Sequence, residues 1–251
     1  MARHSVTCYY AKGGKGKYVA PAFAMGCHGQ SQLSGPFREG ESAIYGVKEQ
    51  TVGVWQKIQA GNDRWWYIDN AYFGRGAYYR ITERRIQHLG IGEPDWDRWR
   101  DVRIDFKDWR TRSGHILVCE QSDNFMWRTC GISPDGWRKA VRQVLGAHTD
   151  RPIIFRPKMH PDDIKDMLRH CHAVVTFSSN SAIDALAAGV PVFVSDKSAA
   201  APMGLTDLSR IEDPYFPDDR ERWAAVLAGN QWTLEEMRNG TAWRALNGSR
   251  G

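Results

Sequence analysis

The 251-residue chain has no apolar run near the roughly 18 residues needed to cross a bilayer. Nor does it open like a secretory leader: Met-Ala-Arg-His-Ser passes straight into a short strand-like run. A cytoplasmic protein without a membrane partner is the resulting expectation. Cysteine is sparse, and Cys8, Cys27, Cys119, Cys130 and Cys171 show no Cys-x-x-Cys spacing and are odd in number. Buried free thiols are therefore expected, and neither disulfides nor a metal site is called for. The Gly-x-x-x-x-Gly-Lys-Ser/Thr string is also missing, so the Gly/Lys loop near the start is not a Walker-type phosphate cradle.

What is present is an ordinary globular composition, 42% hydrophobic and 25% charged. The length suits one large domain or two small ones. The net charge of +5 is unevenly placed: residues 1–113 hold 18 Lys/Arg against 12 Asp/Glu, and residues 114–251 hold 16 against 17. Trp55, Trp65, Trp66, Trp96, Trp99 and Trp109 fall in the basic half. A basic, aromatic-rich half fits a polyanionic partner, and it equally fits a solvated surface over a Trp-rich core.

Ser5–Tyr10 reads as a strand that stops at Lys12, Gly13, Gly14, Lys15 and Lys17, before the helical pattern of Tyr18–Cys27. Glycines permit close approach to a ligand and the following helix start offers free N–H groups, so this loop is a candidate anion or acceptor site; a plain flexible turn is the alternative. Ser42–Val47 and Trp65–Asn70 read as further strands, with a helix over Gln50–Ala60. Trp65–Asn70 ends in Asp69, either a general base at a strand end or a turn residue. Val102–Phe106 reads as a short strand in an irregular connection, and a domain boundary is expected near Thr111–Gly114.

The second half alternates strand and helix without hairpin signals, which predicts a parallel sheet. His115–Glu120, Pro152–Phe155, Ala173–Phe177 and Val190–Val194 are its strands, and Pro134–Leu145 is an amphipathic helix. Arg156, Lys158 and His160 follow one strand; Ser178, Ser179, Asn180 and Ser181 follow another and open a helix that carries Asp184. Cations and small hydroxyl groups at strand ends suit a phosphate or diphosphate, with Asp184 within reach of a sugar hydroxyl. Helix caps and surface cations are the alternative. Near the end, Thr233 and Glu236 have the spacing of a capping box.

The run Arg156-Pro157-Lys158-Met159-His160-Pro161, followed by Thr176-Phe177-Ser178-Ser179-Asn180-Ser181-Ala182-Ile183-Asp184-Ala185-Leu186-Ala187-Ala188-Gly189-Val190-Pro191-Val192, resembles the C-terminal half of GT-B-type glycosyltransferases, chiefly the capsule-polysaccharide and CDP-glycerol transferase-like groups. The first string departs from the family's Arg-Pro-His-Pro turn by a two-residue insertion, and Asp184 stands where a Glu is frequent. The likeness spans some 40 residues. It implies an α/β fold of two small Rossmann-like domains with parallel sheets and a cleft between them: residues 1–113 for the acceptor, 114–251 for a UDP-, CMP- or CDP-linked sugar. It also implies that Arg156, His160, Ser178, Ser179 and Ser181 hold donor phosphates without a metal, and casts Asp69 as base. The basic first half then points to a hydroxymethylated base in phage DNA, with Lys12, Lys15, Lys17, Arg75, Arg80, Arg84 and Arg85 on backbone phosphates and the host cytoplasm as location. A surface polysaccharide or lipid-linked glycan is the other acceptor, and a non-catalytic nucleotide- or nucleic-acid-binding α/β protein is the rival. A monomer or weak dimer is expected.

Overall fold

A computed structural model describes residues 5–110 and 114–248. They form two compact units, one within Met1–Ile86 and Asn230–Gly251, the other within Gln87–Gly229. The boundary expected near 113 falls in part on residues 111–113, outside the described ones. The observed divisions lie instead at Ile86/Gln87 and Gly229/Asn230.

The first unit begins with β1 (Thr7–Tyr10), α1 (Gly16–Gly26), β2 (Gln30–Leu33), β3 (Ser42–Tyr45), α2 (Val52–Ala60), β4 (Trp65–Asn70) and β5 (Tyr78–Glu83). Strands β2, β1, β3 and β4 run parallel, and β5 turns back antiparallel to β4. Trp66, Tyr67 and Ile68 on β4 are all buried, as expected of a strand covered on both faces. Val19 and Phe23 of α1 pack in the cluster that holds Trp66 and Ile81. Trp55 of α2 meets Trp65 at 5.1 Å and Tyr67 at 5.6 Å between ring centres.

The second unit contains α3 (Trp96–Val102), β6 (His115–Cys119), α4 (Pro134–His148), β7 (Ile153–Arg156), α5 (Ile164–Met167), β8 (Cys171–Val175), α6 (Ser181–Ala187), β9 (Val192–Phe193) and α7 (Arg220–Ala228). Its four strands lie in the order β7-β6-β8-β9, all parallel. Helix α4 starts at Ser133, whose Oγ accepts from the Gly136 amide at 3.2 Å, and turns Val141 and Leu145 inward. The strand expected over Val102–Phe106 is absent: Val102 ends α3, which Asp95 caps by accepting from the Arg98 amide at 2.8 Å. The segment after α3 instead lies along the end of α6, with Lys107 N–H to Ala187 O at 2.9 Å and Arg110 N–H to Gly189 O at 2.8 Å.

The chain then re-enters the first unit through β10 (Gln231–Thr233), antiparallel to β5, and α8 (Leu234–Arg238) and α9 (Thr241–Gly248). Thr233 and Glu236 form the capping box the spacing predicts: Thr233 Oγ1 accepts from Glu236 N–H at 3.2 Å, and Glu236 Oε2 accepts from Thr233 N–H at 2.8 Å. All five cysteines are free, four of them buried. Among the described residues no helix is long and apolar enough to cross a membrane.

Gly189, just past α6, has φ +74, and a Cβ there would stand 2.0 Å from Asp108 O. Gly189→Ala should therefore cost about 2–5 kcal/mol, a left-handed penalty added to an overpacking one. Urea unfolding would show it as a lower midpoint with an unchanged m-value.

Candidate functional site

In the second unit the connection from β6 leaves toward β7, while β8 connects outward to β9 on the other side. The C-terminal ends of β6 and β8 thus flank a topological switch point, the place where open parallel sheets bind ligands. Thr176 fastens these ends together, its hydroxyl donating to Cys119 O at 2.6 Å. The turn beyond β8 is anchored by Ser195, whose Oγ donates to Phe177 O at 2.7 Å.

The hydroxyl of Ser178 is buried here and has no hydrogen-bond partner, while the buried Ser181 hydroxyl faces the Cys119 thiol. Arg156, at the end of β7, gives one N–H to Asp162 O at 2.9 Å, while its buried Nε has no partner. Native structures leave few buried polar groups unpaired, and each costs about 1–3 kcal/mol. The unpaired Ser178 hydroxyl and a guanidinium N–H are donors awaiting an acceptor, and the ligand they suit is an anion. The proximity of Ser181 and Arg156 is registered by the Cys119 thiol, which burial pushes up to about 11, with the Ser181 hydroxyl and Arg156 drawing it down and Asp184 pushing it up.

The remaining residues expected at this site divide. Ser179 Oγ accepts from the Ser181 amide at 3.3 Å and so serves as a turn cap. Asn180 and Asp184 are half-buried at the start of α6. His160 lies in the turn after β7, but its Nδ1 already accepts from the Asp162 amide at 3.1 Å. Lys158 is exposed in the same turn. Of the three basic residues, Arg156 alone is seen beside the Cys119–Ser181 group.

Burial affects the other thiols as well: Cys130 is pushed up to about 11 and Cys171 to about 12. The folded chain keeps protons here that the unfolded chain releases above the ordinary value of 9.0. The associated stability is complete below that pH and is lost as pH rises through 11 and 12. Thermal melts at about pH 8 and pH 10.5 should show a lower Tm at the higher pH, with a smaller drop in a Cys119→Ala/Cys171→Ala variant.

In the first unit the ends of four strands bring together Lys15, Tyr45, Asp69, Asn70 and Tyr79. Lys15 Nζ donates to Asn70 Oδ1 at 3.4 Å and lies 5.7 Å from the Tyr79 ring centre. Tyr45 and Tyr79 meet edge to face at 6.2 Å, and burial and Asp69 hold the Tyr45 phenol above its ordinary range. Gly13 (φ +84) and Gly14 (φ +70) give the loop before α1 a left-handed path that other residues resist. Lys12 donates its backbone N–H to Gln50 Oε1 at 2.8 Å, and Lys17 lies over the Tyr18 ring. Asp69 is not a free carboxylate: Oδ2 is 3.0 Å from Arg80 Nη2, and Oδ1 accepts from Asn70 N–H at 2.7 Å.

The cations assigned to one anionic partner do not share a place. Arg75 follows β4, at the same strand-end edge from which the Lys12–Lys17 loop leaves β1. Arg84 and Arg85 follow β5, and Arg84 N–H bonds to Trp65 O at the opposite end of β4. Because β5 is antiparallel, about five residues of strand, roughly 17 Å, separate the two groups. Arg80 is buried on Asp69. Sequence reading also missed the parts played by Gln87 and Cys119. Nothing in their local spacing marks them; the pairing of distant strands gives them their positions.

Among the described residues no group of three or more His, Cys, Asp or Glu could hold a metal ion. The Asp-x-Asp string at Asp95-Trp96-Asp97 is structural, since Asp95 caps α3 and Asp97 pairs with Arg100 at 2.8 Å.

The architecture is that of Rossmann-like α/β proteins, and the solved structures it matches include two described as Kdo transferases. One is KpsC from Thermosulfurimonas dismutans described as a beta Kdo 2,7 transferase, with a TM-score of 0.52 and 12% identity over 97% of this chain and 100% of that one. Another, described as a beta Kdo 2,4 transferase of the same organism, has a TM-score of 0.50 and 12% identity over 89% of this chain and 90% of that one. At such identity the likeness concerns the fold. No protein-family model and no curated protein sequence matches the chain.

Proposed function

We propose that this chain is a glycosyltransferase that moves a sugar from a nucleotide-sugar donor to a polysaccharide or lipid-linked glycan, with the donor's phosphate held in the second unit. The buried, unpartnered Ser178 hydroxyl, in the turn whose Ser181 shares the Cys119 thiol with Arg156, carries this reading. When the anomeric C–O bond of the donor breaks, negative charge builds on the departing phosphate oxygen. Donors already fixed around that oxygen stabilise the transition state without reorganising. Arg156 supplies charge and direction, Ser178 and Ser181 supply O–H groups, and Asp184 accepts from a sugar or ribose hydroxyl. Ser179 and Asn180 shape the turn, while Lys158 and His160 lie at its rim.

The acceptor hydroxyl must lose a proton. Asp69 remains the candidate base on the first unit, where it is paired with Arg80. A glycan is favoured over a DNA base for two reasons. The matched structures are described as Kdo transferases, and the cations proposed for a DNA backbone lie at opposite sheet edges. The engaged state of Asp69 also supports a second reading, a nucleotide-binding protein that does not turn its ligand over.

The test is a panel of UDP-, CDP- and CMP-linked sugars, CMP-Kdo among them, incubated with Kdo-bearing glycolipid or with hydroxymethylated duplex DNA. Free nucleotide appearing with the glycan and not with DNA is the expected result. Nucleotide binding without release from any donor would favour the second reading, and neither binding nor release would sink both.

A further inference from the structure

Gln87 is the first residue of the second unit and is 4% exposed, unusual for a carboxamide outside regular structure. Its Nε2 donates to Ser178 O at 2.6 Å, and its Oε1 accepts from the Ala199 amide at 2.6 Å. Ala199 O in turn accepts from Trp223 Nε1 on α7 at 2.9 Å. Ser178, Ala199 and Trp223 are each at most 2% exposed, so the whole relay is shielded from water. In such surroundings linked hydrogen bonds polarise and stiffen one another.

The relay ends on the backbone of the residue whose own hydroxyl lacks a partner. Fixing the Ser178 carbonyl fixes the peptide plane of Ser178-Ser179, and with it the direction of the next N–H group and of the Ser178 side chain. Two side-chain fastenings, Ser195 on Phe177 O and Thr176 on Cys119 O, lie upstream of Ser178, and the Ser181 amide on Ser179 Oγ lies downstream. Leucine would fill the space as well as glutamine, yet a polar side chain is buried here and spans two chain segments that are not neighbours in sequence. Gly90 supports the placement: at φ +67 its Cα passes so near Trp223 that a Cβ would stand 2.2 Å from the indole. The segment from Gln87 to Gly90 is thereby pressed against α7.

We propose that Gln87 is a positioning residue for the phosphate-binding turn, orienting Ser178 toward the leaving phosphate; this rests on the assignment of that turn to the donor. It touches no substrate itself. Glutamic acid at this position separates positioning from simple packing. It has the same shape, but as a carboxylate it faces the Ser178 carbonyl with no N–H, and as a carboxylic acid it donates again. Burial raises the pKa of such a carboxyl, so the change falls within an accessible pH range.

The experiment measures CMP and UDP binding to the full chain by calorimetry at about pH 8 and about pH 5.5, for wild type, Gln87→Leu and Gln87→Glu. Amide hydrogen exchange over residues 176–182 is followed in the same proteins without nucleotide. The expected result is about tenfold weaker binding for both variants at the higher pH. At the lower pH the Gln87→Glu protein alone recovers toward wild type, and exchange in 176–182 rises in the variants at the higher pH. Wild-type affinity in both variants, or a Gln87→Glu deficit that does not change with pH relative to wild type, overturns the positioning role while leaving the donor site intact. Wild type binding neither nucleotide overturns the donor reading and this role with it. Should Gln87→Leu fail to fold, the isosteric Gln87→Glu protein decides the question.

Discussion

Removing the Ser178 and Ser181 hydroxyls together should make the protein more stable and less active. The Ser178 oxygen is buried without a partner, so alanine there relieves a desolvation cost of about 1–3 kcal/mol, which outweighs the Ser181–Cys119 contact and the small cavities. The same change removes two donors from the departing phosphate. Together with the loss expected for Arg156→Ala, about 100- to 1,000-fold in kcat/KM, this defines the site energetically. Arg156→Lys should recover only part of that, since an ammonium keeps the charge and loses the fork of N–H groups. Lys158→Ala should change kcat/KM little, because that side chain is exposed in the turn. Stability is read by urea unfolding and activity by nucleotide release. A serine pair whose loss destabilises the fold and leaves activity intact would remove the basis of the donor site.

Asp69→Ala should cost about 3–5 kcal/mol, because it strands the buried Arg80 guanidinium without its counter-charge. The Asp69→Leu/Arg80→Met double variant should recover most of that loss, as apolar replacements of buried ion pairs frequently do. This pair of measurements separates two roles for the same carboxylate. If Asp69 is also the base, the double variant folds as well as wild type and turns over about 100- to 10,000-fold more slowly. A double variant that is stable and fully active would confine Asp69 to a structural role and move the base elsewhere.

Much of the second unit could be read from sequence because its information is local. His115–Cys119 and Cys171–Val175 are continuous apolar runs, Pro134 and Ser133 mark a helix start, and the Ser-rich string sits where a strand gives way to a helix. The capping box at Thr233 and Glu236 is equally local. Gln30–Leu33 escaped notice as a strand because it lies at the sheet edge with a polar, exposed face, and alternation of apolar residues is the signal such reading depends on. Val102–Phe106 misled in the opposite direction: it has strand-like composition, but the Asp95 cap and the burial of Trp99 and Val102 draw it into the end of a helix.

The unit boundaries were not legible for a related reason. Gln87–Arg110 has the charged, Trp-rich look of a connection, yet it belongs to the second unit through contacts with α6 and α7 that are distant in sequence. The basic character of the first half was visible, but not that one antiparallel strand would carry Arg84 and Arg85 to the far edge of the sheet.

By itself, then, the sequence determined the alternation of strands and helices, the caps, and the polar strings that end the strands, because these depend on residues a few positions apart. The tertiary structure decided which of those strings meet. It set the order β7-β6-β8-β9 that brings Arg156, Cys119 and Ser181 to one edge, and it left the Ser178 hydroxyl unpaired. It also closed Asp69 onto Arg80 and buried Gln87 beneath the Ser178 turn. Hydrogen-bond partners and burial are set by long-range pairing, which no local pattern encodes.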